Sequence, residues 1–134
     1  MGIDKQYFKR LGVEQDHPTL GFWAITLEIG TDIDTTFELM ELKPGMRIVD
    51  SYLDTETVAA GAGSLDVDLA TDEGTPYEWH SAIDVEASAL TRQAVGKGRI
   101  ETGTNKLVLF ADYTGAITTA GLLHVMVLLI RQEH

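Results

Sequence analysis

The sequence predicts an all-β protein: an antiparallel β-sandwich or jelly-roll-like barrel, with an N-terminal arm and one or two short helical turns. Three observations predict it. Leu65, Val67 and Leu69 alternate with Asp66 and Asp68, the period-2 pattern of a strand with one wet face. About seven or eight short apolar runs follow one another, divided by turn residues, with almost no long helical pattern. The last run, Leu122 to Ile130, is apolar on both faces, so something must cover both.

Each element has its own reason. Met1 to Gly21 is polar and irregular. Asp4 to Leu11 can form a short helix, capped by Asp4 and stopped by Gly12, and His17-Pro18 then forces extended backbone. Residues 1–21 are therefore taken as an arm, and residues 22–134 as one β-sandwich domain. Phe22 to Ile29 is the first strand, with Trp23, Ile25, Leu27 and Ile29 on its core face. Thr35 to Leu42 is the second, with Phe37, Leu39 and Glu41 on one side. Pro44-Gly45 marks a tight turn into a strand from Met46 to Thr55. Ala59 to Gly63 is a flexible connection into the strand Ser64 to Ala70.

The character of the chain changes at Pro76 to Leu90. Pro76 suits the first turn of a helix with Thr75 as its cap, and the apolar residues here fit neither period. A loop with one or two helical turns is expected, its aromatic pair Tyr77 and Trp79 closing one end of the sandwich. Lys97 to Glu101 is expected as a strand. Asn105 to Tyr113 is another, with the core run Leu107-Val108-Leu109-Phe110. In the last strand, Leu123, Val125, Val127 and Leu129 line one face. Leu122, Met126, Leu128 and Ile130 line the other, interrupted by His124. A second copy of the subunit is the natural cover for that second face in so small a chain.

Composition narrows the function. The chain has 134 residues, 44% hydrophobic and 23% charged, which suits one globular domain. No cysteine is present, which excludes disulfides and thiol chemistry and fits synthesis in a cytoplasm. The net charge is −11, and it is uneven. Glu28 to Glu86 holds fifteen acidic residues against Lys43 and Arg47; from Ala87 onward five basic residues face three acidic ones. Nucleic-acid binding needs a cationic face to neutralise phosphates, so no nucleic-acid partner is expected. An acidic and a mildly basic surface can instead dock on neighbours. The start of the chain carries charges where a signal peptide is apolar, and Leu122 to Ile130 is far too short to span a bilayer; no membrane role is expected.

No arrangement of residues carries catalytic or metal chemistry. His17, His80, His124 and His134 lack ligand spacing. Asp66, Asp68, Asp72 and Glu73 begin like a calcium loop but lack its spacing and its closing glutamate. Ser64 follows Gly61-Ala62-Gly63 without the G-x-S-x-G elbow, and no G-K-[ST] follows these glycines. Catalytic residues, metal ligands and cofactors are accordingly expected to be none. Among the aromatics, core packing accounts for Trp23 and Phe110, and Tyr77 and Trp79 are the best exposed candidates for touching a ligand or partner.

Four stretches together resemble a known family. They are Leu42 to Asp50 (LKPGMRIVD), the Gly- and Ala-rich connection into Leu65 to Gly74, the segment Tyr77 to Arg92, and two final apolar strands. Over roughly Thr35 to Arg131 the chain is similar to small structural proteins of tailed bacteriophages, often head decoration (cement) proteins. It departs from them in the acidic turn Ala70 to Gly74 and in its longer arm. The resemblance implies a β-sandwich that trimerises at local three-fold sites on the outside of the capsid. It also implies a major capsid protein as partner, a virion location, and no active site. Trimer contacts would come from Leu122, His124, Met126, Leu128 and Ile130, where a ring of His124 would loosen the oligomer on mild acidification. Capsid contacts would come from Tyr7, Phe8, Lys9, Arg10, Tyr77 and Trp79. A neck, tail or fibre-base protein and a carbohydrate- or ligand-binding sandwich are the alternatives.

Overall fold

The computed structural model describes residues 19–131. Its strands are β1 (Thr19–Ile29), β2 (Thr36–Leu42), β3 (Met46–Thr57), β4 (Ala60–Gly61), β5 (Leu65–Thr71), β6 (Glu78–Asp84), β7 (Leu90–Arg92), β8 (Asn105–Tyr113), β9 (Ile117–Thr119) and β10 (Gly121–Arg131). They form a first sheet in the order β1-β10-β3-β7, a second in the order β2-β8-β5-β6, and a small β4-β9 ribbon. All of these strand pairings are antiparallel. The chain crosses repeatedly between the two sheets, so sequence neighbours such as β1 and β2 lie in different layers.

The two sheets enclose one core, making an all-β sandwich. Trp23, Ile25, Leu27 and Ile29 point inward from β1 as their alternation requires. Leu65, Val67 and Leu69 of β5 and Leu123, Val125, Val127 and Leu129 of β10 lose all solvent exposure. β10 is a central strand, bonded to β1 on one side and β3 on the other along its whole length. The Pro44-Gly45 turn closes as expected: Met46 N–H donates to Lys43 C=O at 3.0 Å, and Gly45 takes φ +88°, a value its missing Cβ permits.

The structure corrects six expectations. The described residues contain no helix, and Pro76 to Leu90 holds β6 and the start of β7. The period-2 signal fails there because β5 and β6 slip register twice, between Val67/Leu69 and Leu69/Ala70. Lys97 to Glu101 is not a strand; only Ile100 bridges, to Arg47. Ala59 to Gly63 is not a loose connection, because Ala60–Gly61 pairs with β9. In β2 a bulge at Leu39 shifts the alternation, so Met40 and Leu42 turn inward and Glu41 outward. Phe110 is not core: it stands on the outer face of the second sheet, opposite Asp68, half-buried. The first strand also begins at Thr19, three residues before the expected Phe22. The arm's Tyr7, Phe8, Lys9 and Arg10 lie outside the described residues.

Candidate functional site

Alternation along β10 fixes the first candidate surface. With the odd-numbered side chains buried, Leu122, His124, Met126, Leu128 and Ile130 all stand on the outer face of the first sheet. The register then dictates their neighbours. Ile130 lies between Leu20 and Arg47, Leu128 between Phe22 and Asp50, and Met126 between Ala24 and Tyr52. The result is an apolar strip at one end of the face, in which Leu20 and Phe22 are each 40% exposed. The other end is polar. His124 Nδ1 lies 2.6 Å from Thr26 Oγ1, and its Nε2 lies 3.2 Å from Glu56 Oε1. The five residues expected to act together are thus brought together on one face of the first sheet.

At the edge of this face an ionic network fixes the backbone. The Asp50 carboxylate is almost buried and accepts hydrogen bonds from Arg92 Nε (2.8 Å), Tyr52 Oη (2.9 Å) and Ser51 N–H (3.0 Å). Its bond to Tyr52 holds the phenol above its ordinary pKa, because losing that proton would set two negative charges side by side. Beyond Arg92 the chain makes a turn in which Lys97 N–H donates to Ala94 C=O at 3.3 Å and Gly96 takes φ +86°. Val95 at its tip is fully exposed. Sequence reasoning missed this corner; its only signal was the basic excess after Ala87.

Between the sheets lies a polar cluster that the sequence did not reveal. Gln93 Nε2 donates to Val49 C=O at 3.3 Å, which points Gln93 Oε1 at Ser51 Oγ, 2.6 Å away. The Ser51 hydroxyl proton goes to that oxygen. His80 Nε2, 2.9 Å from Ser51 Oγ, must therefore donate rather than accept. A serine nucleophile needs the opposite direction, and Ser51 is wholly buried. The cluster ties β3, β6 and the strand-following Gln93 together. Burial holds the His80 pKa below its ordinary value.

The aromatic pair is placed differently from expectation. Trp79 is 3% exposed, so it is no exposed contact residue; the slipped register of β6 turns both Trp79 and His80 inward. Tyr77 is half-buried, edge-on to Trp79 at 5.0 Å. Lys97 Nζ and the Arg99 guanidinium lie over its ring at 5.8 and 5.2 Å from the centroid.

The acidic run is also divided. Asp66 and Asp68 stand on the outer face of the second sheet. Asp72 and Glu73 lie past the far end of β5, where Asp72 accepts from Lys106 N–H at 2.7 Å and Glu73 pairs with Arg99. Asp66 instead has Asp112 and Asp84 directly opposite it on the two neighbouring strands. Desolvation first, then the nearby Asp84, Asp112, Asp68 and Glu86, push its carboxyl above the ordinary pKa. Among the described residues no His, Asp or Glu cluster is arranged to hold a metal ion.

This architecture has counterparts among solved structures. The chain is similar to one in the acidic stable capsid structure of Helicobacter pylori bacteriophage KHP30, with 18% identity and a TM-score of 0.53, over 88% of this chain and all of that one. It is similar to one in the cyanophage Pam1 capsid asymmetric unit, with 15% identity and a TM-score of 0.56, over 85% of this chain and 84% of that one. No family profile and no curated protein matches it. The fold is thus one that phage capsid structures contain.

Proposed function

We propose that this chain is a structural, non-enzymatic protein of a bacteriophage virion, and within that class a head decoration (cement) protein. It would bind the outside of the shell through the major capsid protein and self-associate as a homotrimer at local three-fold sites. The observation that carries this reading is the likeness of fold, over more than four-fifths of the chain, to chains in two phage capsid structures. The strand orders β1-β10-β3-β7 and β2-β8-β5-β6, with the chain alternating between sheets, support reading the sandwich as an eight-stranded jelly roll, an architecture used in capsids.

The strip of Phe22, Met126, Leu128 and Ile130 is the self-association face in this reading. Apolar surface rimmed by polar groups such as His124 and Asp50 is the usual composition of such a contact. A clamp across capsid joints binds many shallow sites, and three linked copies supply avidity that one lacks. The arm residues Tyr7 to Arg10 would reach the capsid. The sugar-binding alternative loses its platform, since Trp79 is buried. Neck or tail placement is less favoured because the similar structures named above are capsids.

Copy number tests the proposal. Quantitative mass spectrometry of purified particles should give this chain at a ratio to the major capsid protein near one, or at the simple fraction set by three-fold sites. A handful of copies per particle would move it to the neck or tail, and absence from particles would end the virion reading.

A further inference from the structure

A three-fold ring cannot be closed by a patch meeting its own copy; each subunit must offer two different, complementary patches. The described surface has such a pair. The first is the corner where the apolar strip ends: Val95, fully exposed, flanked by Arg47, Arg92 and Lys97. This corner is unusual in a chain of net charge −11. The second is the outer face of the second sheet, where Asp112, Asp66 and Asp84 stand abreast with Asp68 and the half-buried ring of Phe110 one step along. Like charges directly opposite on adjacent strands oppose folding. Among the described residues no cation pairs with any of the four.

The two patches are not paired with each other within one copy. Arg47 stands near the start of β3, whereas Asp66 stands near the start of β5, which follows closely on the other end of β3. We infer that the Val95 corner of one copy docks on the aspartate face of the next, Val95 against Phe110 and Arg47 and Lys97 against Asp66 and Asp112. The aspartate row, unfavourable in a lone subunit, gains its counter-charges in the ring, and opposite potentials steer the encounter. The inference rests on the proposed self-association and names the surface that receives the apolar strip's cationic edge.

The test uses the full chain, with mass measured by light scattering after size exclusion and folding followed by circular dichroism. The wild type should associate, and more weakly at high salt. Arg47→Glu with Lys97→Glu, or Asp66→Lys with Asp112→Lys, should weaken association by about tenfold or more, and all four changes in one chain should restore it. Met126→Ser with Leu128→Ser separates the two readings. If that variant dissociates while both charge reversals keep the wild-type mass, the strip stands and the charge pairing falls. Failure of the fourfold variant to recover would overturn the pairing as well. A wild type that stays a single copy at every concentration would overturn the pairing and the trimer together, leaving head binding to be judged by copy number.

Discussion

His80 shows how one buried residue sets a pH dependence. Its imidazole is neutral in the fold because burial disfavours the cation, although the Ser51 carbonyl and Asp50 act the other way. A histidine with a lowered folded pKa binds more protons when unfolded. Its contribution to stability is therefore complete above the unfolded value of 6.5 and is lost as pH falls below it. Thermal melts should show the wild type losing stability between neutral pH and mild acid. His80→Gln keeps a donor near Ser51 and removes the titration, so its melting point should change less over the same interval. Equal slopes for the two proteins would show that His80 is not the sensor. Ser51→Ala tests the same cluster differently: it strands Gln93 Oε1, and a loss of about 1–3 kcal/mol is expected from denaturant unfolding.

Among the strands, β10 divides stability from association along a single run of residues. Leu129 is fully buried beneath the sheet, and Leu129→Ala should cost about 2–5 kcal/mol in chemical unfolding. Its neighbour Leu128 is half-buried on the outer face, and Leu128→Ala should cost under about 1 kcal/mol in the monomer. That variant should instead raise the concentration at which copies associate, read by sedimentation. The reverse ranking would mean that the two faces are assigned backwards. This division was legible in the sequence because β1 and β10 keep an unbroken period of two, as β5 does from Leu65 to Leu69, and differ in what their second faces carry. β6 was not legible. Its double register slip places Trp79 and His80, adjacent in sequence, both inside, and no periodic rule assigns two neighbours to one face. Tyr77 and Trp79 were misjudged for that reason. The Val95 corner and the Ser51–His80–Gln93 cluster were invisible because they depend on contacts between residues 29 to 44 apart, which only the sheet order supplies.

At the scale of the molecule, acidity is arranged rather than merely abundant. The row of Asp112, Asp66 and Asp84 crosses three strands of the second sheet, where desolvation first and then the neighbouring carboxylates raise the Asp66 pKa. A carboxyl whose folded pKa is raised weakens the fold while it is ionised and ceases to do so once pH falls below its unfolded value of 3.8. Asp66→Asn should therefore melt above the wild type at neutral pH in dilute solution, with the difference vanishing in acid. If the row receives a neighbouring copy's cations, the same change should weaken self-association. The two signs must then oppose one another in a single variant: a more stable subunit and a less stable assembly. A surface kept acidic only for solubility predicts the first effect without the second, since nothing would be lost when the charge goes. A drop in melting point would instead mean that Asp66 holds the sheet together, and the row would then have no claim as a docking surface. Melting scans and sedimentation on one preparation of Asp66→Asn separate these three cases.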